Sequence, residues 1–223
     1  VENLHTPKVA TKQRSLIWFP IAICLLMVIA YLMFGNSLKV ISFGILPRDV
    51  TGARGILFSP FIHGEWNHLL SNLLPMLVLG LILFGTYRDI AFRVFFLIYV
   101  LTGLWVWMFA RESYHIGASG VVYGLWSFVL ISGFLRRRND LVMLSFLVAF
   151  LYGSMFWGLF PIFPDVSFEA HICGMLAGVM CAIYYLPFGP KERKYFEDEE
   201  DEPDDPEAPW NQPAEDKEIP PAA

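Results

Sequence analysis

The stretch HIGASGVVYGLW, His115 to Trp126, sets Ser119 between Gly117 and Gly120 at the mouth of an otherwise apolar run. Serine neither drives membrane insertion nor builds an apolar core, and a nearby glycine weakens a helix. Two readings follow. Either the segment is a packing notch between helices, or Ser119 is an exposed nucleophile. The rest of the chain has to decide.

Working outward, 56% of the 223 residues are hydrophobic and the mean hydropathy is +0.50. Soluble domains are typically less apolar. The formal net charge of −5 averages two unlike parts. Residues 191–223 carry 13 acidic and 4 basic side chains, whereas residues 1–190 carry 8 and 12. The tail is acidic and rich in proline, so it cannot bury enough apolar surface to order itself. Residues 189–223 are therefore predicted to be a disordered cytoplasmic tail, open to an unknown cytoplasmic partner. No basic footprint for nucleic acid is present. Cys24, Cys173 and Cys181 all fall in apolar runs with neither disulfide nor zinc spacing, and read as small buried hydrophobes.

A helix needs about 20 residues to cross the hydrocarbon core. Apolar runs predict six spans, at 16–34, 66–85, 91–110, 118–135, 141–159 and 169–187. The fold class is thus all-α, a polytopic bundle over residues 16–188 after a short cytoplasmic segment, 1–15. With the N-terminus inside, the inner segments hold eleven Lys and Arg against four outside. The positive-inside rule then puts both termini in the cytoplasm of a plasma or inner membrane. The first outer loop, about 35–65, is too apolar for a plain linker and is expected in the interface or against the bundle.

This orientation makes the second, fourth and sixth spans run from outside to inside. Near their starts stand His68 and Asn72, then Ser119, then His171. Polar groups at that depth face a bundle interior or a wet cavity. His68 and Asn72 are four apart and share a helical face, as do Ser119, Tyr123 and Ser127. Gly120 and Gly124 flank the serine stripe, and Gly174 and Gly178 follow His171. Small residues at this spacing let membrane helices approach closely. The two readings of Ser119 therefore combine: packing glycines can hold a serine beside its base. His171 can take the Ser119 proton and return it to a leaving amine. The Ser119 amide lies in a first helical turn and is unpaired, with the Asn72 amide and the His68 imidazole as further oxyanion donors.

Three pieces, HGEWNHLLSN (63–72), GASGVVYGL (117–125) and AHICGMLAG (170–178), resemble the rhomboid family of intramembrane serine proteases in content and order. The likeness covers about residues 40–185. It implies Ser119 as nucleophile and His171 as base, in a dyad that needs no acid, cofactor or metal. His68 and Asn72 would line the oxyanion hole with the amides of Ser119 and Ala118. Tyr123 would stack on His171, His63 would be structural, and Gly117, Gly174 and Gly178 would permit close approach. The fifth span and residues 161–170 would form a gate and cap. The implied partners are the lipid bilayer and transmembrane protein substrates with a small residue at the cut. Two departures stand out. A Trp-Arg pair common in the family's first loop is replaced by GARGILF with Arg54 one place early, and Phe84 stands where a glutamate is common.

Taken singly, each residue has a plainer role. Ser119 alone would be an interface serine, His171 an interhelical histidine, His115 an exposed loop end and Tyr123 a packing aromatic. Asp165 and Glu169 would be loop carboxylates facing water. Two other readings of the whole stay open. His63, His68, His171, Asp165 and Glu169 could collect a zinc ion, although no HExxH occurs. Alternatively, a catalytically silent relative would bind membrane clients.

Overall fold

A computed structural model describes residues 9–35, 37–163 and 166–190. Of the predicted acidic tail, 189–223, residues 191–223 lie outside the described residues. Helix α1 (Val9–Phe34) precedes two one-turn helices, α2 (Leu38–Ile41) and α3 (Gly55–Phe58). Then come α4 (Trp66–Thr86), α5 (Ala91–Phe109), α6 (Ser119–Arg136), α7 (Asn139–Tyr152) and α8 (Phe168–Tyr184). The chain is an all-α polytopic membrane bundle.

Five segments are long and apolar enough to cross a membrane: Leu16–Phe34, Trp66–Thr86, Ala91–Phe109, Ser119–Arg136 and Asn139–Leu159. The sixth, α8, is shorter than expected at 17 residues. At 1.5 Å per residue it spans about 25 Å, less than the hydrocarbon core. Its far end closes on polar contacts: Arg136 donates to the carbonyls of Tyr185 and Leu186 at 2.7 and 3.1 Å. That arginine therefore fastens the ends of α6 and α8 as well as adding positive charge. The fifth span also differs from a plain helix, since it changes to a 3-10 helix over Gly153–Leu159.

Helix α6 is the central element, with two-thirds of its span (67%) buried, and α4, α5, α7 and α8 pack around it. Its start is set by Gly117, whose φ of +98° only glycine adopts without strain. The Gly117 N–H donates to Ser59 O at 2.8 Å, and the helix opens two residues later. Against α8 the approach is backbone to backbone. A Cβ on Gly174 would strike Gly120 O, and one on Gly178 would strike Gly124 O and Ser127 Oγ. Such stripes are how membrane helices gain van der Waals contact where no hydrophobic driving force acts between them.

The loop after α1 packs against the bundle. Ile45 and His115 exchange backbone hydrogen bonds of 2.9 and 2.8 Å. Arg48 Nη1 donates to Ala110 O, and Trp107 Nε1 to Asp49 O, both at 2.8 Å. Val50, Leu57 and Phe58 remain exposed, as an interfacial loop requires. The two family departures are accommodated. Arg54 donates to Ser42 O at 3.1 Å and lies over the Phe43 ring at 4.2 Å, bracing the loop from within. Phe84 is fully buried among Phe19, Phe92 and Phe95, so an apolar cluster fixes α4 there.

Candidate active site

The paired helices bring Ser119 and His171 to one level. Gly120 lies against α8 between residues 170 and 174: its Cβ would come 3.1 Å from Ala170 O, and its own carbonyl abuts Gly174. Ser119, half-buried, is the first residue of α6. One turn on, the Tyr123 ring stacks on the His171 imidazole, centroids 4.0 Å apart and planes 8° from parallel. Among the described residues no hydrogen bond joins Ser119 to His171. Catalytic bonds in unliganded sites are often long and tighten only with substrate.

His171 is 6% exposed. Its Nδ1 lies 2.8 Å from Gly158 O. A carbonyl can only accept, so Nδ1 carries the proton and Nε2 is the ring's acceptor. Tyr123 Oη donates to Met155 O at 2.7 Å. Both carbonyls belong to the 3-10 segment after α7. Sequence reasoning missed this contribution, because a main-chain carbonyl has no letter of its own.

On the other side, α4 presents His68 to the loop before Ser119. A Cβ on Gly117 would lie 2.6 Å from His68 Nε2, so the glycine answers both to its φ and to the imidazole beside it. His63 is 2% exposed and meets His68 edge to face at 5.0 Å. Burial first, then the neighbouring His68, pushes the His63 imidazole down to about 4. Asn72 is buried and donates one amide N–H to His68 O at 2.7 Å, within its own helix. Only its second N–H is left for another acceptor. The amides of Ser119, Gly120 and Val121 precede the first bond of α6, which Val122 N–H donates to Ala118 O at 3.0 Å. These three amides mark the positive end of the helix dipole.

Two expectations need correction. His115 is not an exposed loop end but 4% exposed. It lies 3.0 Å from Arg111 O through Nε2, which must donate, so its Nδ1 accepts from Ser167 Oγ at 2.6 Å. Ser167 in turn caps α8, accepting from Ala170 N–H. Burial holds the His115 imidazole below its usual range. Glu169 does not face water freely either: it pairs with Arg111 at 3.6 Å with its side chain 15% exposed. Asp165 lies outside the described residues. Among the described residues no three His, Cys, Asp or Glu side chains converge as a metal site would need.

A family profile described as Rhomboid domain matches residues 51–188, and the chain belongs to the rhomboid family. Two similar mycobacterial proteins are named as uncharacterized. One from Mycobacterium tuberculosis (strain ATCC 25618 / H37Rv) is 35% identical over 162 residues, covering 68% of this chain and 65% of its own. One from Mycobacterium leprae (strain TN) is 36% identical over 152 residues, covering 63% and 58%. The match thus spans less than two thirds of these relatives' length.

Proposed function

We propose that the protein is an intramembrane serine endopeptidase that cuts a peptide bond in or beside the transmembrane segment of a membrane-protein substrate. Ser119 is the nucleophile and His171 the general base, in a dyad opening to the outer side of a cell membrane with both termini cytoplasmic. The observation that carries the reading is the imidazole of His171, with Nδ1 occupied by Gly158 O, stacked on Tyr123, which stands one helical turn after Ser119.

The chemistry runs as follows. Nε2 takes the Ser119 proton as Oγ attacks the scissile carbonyl carbon. The negative charge that develops on oxygen meets the first-turn amides of α6, with His68 and Asn72 beside them. Collapse breaks the C–N bond as Nε2–H protonates the departing amine. Water, deprotonated by Nε2, then frees the acyl group and restores Ser119. A scissile bond inside a helix has its backbone groups engaged, so substrates with weak helicity near the cut fit this site best.

The test is labelling of the purified protein in detergent by a fluorophosphonate probe, with Ser119→Ala alongside and with chelator added. Labelling that requires Ser119 and ignores chelator supports the reading. Failure of the folded wild type to label shifts weight to a silent client-binding protein, and loss of labelling with chelator to a metal-dependent hydrolase.

A further inference from the structure

We propose that the backbone carbonyl of Gly158 orients His171, taking the place a carboxylate holds in a three-membered serine-hydrolase site, and that Gly158 is a positioning residue for this reason. The inference rests on the reading of His171 as the base. A base must present an unprotonated nitrogen to its nucleophile, and the partner of the other nitrogen decides which one that is. Here the Nδ1 partner is Gly158 O at 2.8 Å. Among the described residues no carboxylate bonds this ring, and Glu169, two positions away, is turned to Arg111.

The same short segment holds the ring that His171 leans on. Met155 O accepts the Tyr123 hydroxyl at 2.7 Å. Positions 155 and 158 are three apart, one turn of a 3-10 helix, so their carbonyls stand in line. One row of main-chain acceptors thereby fixes both the imidazole and the phenol stacked against it. A neutral carbonyl selects the tautomer without adding a negative charge to a low-dielectric interior, where an unpaired carboxylate would be costly.

The identity of residue 158 follows from the distance. A Cβ there would strike Tyr123 Oη and lie 3.1 Å from His171 Nδ1. Only a residue without a side chain lets the main chain come within hydrogen-bond reach. Gly153 heads the same 3-10 segment, yet a Cβ on it would meet nothing within 4 Å. The two glycines thus separate the orienting contact from the mere need for a flexible segment.

The experiment compares full-length wild type, Gly158→Ala and Gly153→Ala, purified in detergent. Two quantities are read: the fluorophosphonate labelling rate, and the tautomer of His171 by 15N NMR of histidine-labelled protein, assigned by the signal lost in His171→Gln. The expected wild-type signal is the Nδ1–H tautomer. Gly153→Ala should match wild type in both readouts. Gly158→Ala should label about 10–100-fold more slowly, by analogy with the loss of a partner that orients a metal-bound histidine, and should show the Nε2–H form. Unchanged rate and tautomer in Gly158→Ala would overturn the proposal. So would an Nε2–H signal in folded wild type, which decides the matter even if Gly158→Ala does not fold. If wild type fails to label at Ser119, the protease reading fails, while the tautomer still judges the contact.

Discussion

The Tyr123 and His171 rings lie face to face, 4.0 Å apart and 8° from parallel, although 48 positions separate them in the chain. The stack removes one face of the imidazole from rotation, and the hydrogen bond to Gly158 O removes the remaining freedom about χ2. Proton transfer depends steeply on such alignment.

Ser119→Ala and His171→Ala should each abolish cleavage of a transmembrane substrate. Ser119→Ala should leave the thermal midpoint in detergent near that of wild type, whereas His171→Ala, which empties a buried, stacked and hydrogen-bonded position, should lower it. Ser119 is half-buried, and alanine keeps its Cβ and removes only Oγ. Residual cleavage by Ser119→Ala would remove it as the nucleophile.

Asn72→Ala should lower the cleavage rate by about 10²-fold if the second amide N–H meets the oxyanion. The first is already given to His68 O. An unchanged rate would take Asn72 out of the reaction and leave it a helix-bonded buried amide.

Gly174→Ala should fail to hold α8 against α6, because the new Cβ would fall on Gly120 O, and backbone cannot yield as a side-chain tip can. The cost should exceed the ~1–3 kcal/mol typical of overpacking. The check is the melting midpoint in detergent together with probe labelling. Gly85→Ala, where a Cβ would meet nothing within 4 Å, is the matched control.

Acid should destabilise the fold partly through His63. Its folded pKa of about 4 lies below the unfolded value of 6.5, so the folded state resists protonation. A depressed histidine contributes stability that is complete above the unfolded pKa and lost as pH falls from there through the folded one. The full loss is about 3 kcal/mol. Melting midpoints measured at about pH 7.5 and about pH 4.5 should differ less in His63→Leu than in wild type. An equal drop in both would assign the acid sensitivity elsewhere.

The glycine pairs 120/124 and 174/178 were legible because their meaning is purely steric: a missing Cβ at fixed helical spacing has one use in a membrane. His68 stood out for the opposite reason, since an imidazole near the end of an apolar span is costly there, and the structure sets it against Gly117 in the loop before Ser119. His115 was misjudged. Its burial follows from a backbone bridge to Ile45, a residue 70 positions away in a loop whose path no local pattern shows.

By itself the sequence determined that this chain is a membrane bundle of about six helices and which three of them start with polar residues. Length and hydropathy fix the first, and residue type at helical spacing fixes the second. Tertiary structure alone decided that α7 ends in a 3-10 turn, that Arg136 closes the short α8, and that Gly158 O meets Nδ1. Those contacts join groups that every residue carries, backbone carbonyls, to side chains far off in the chain. Nothing in the identity of a residue says where its carbonyl will point until the helices are packed.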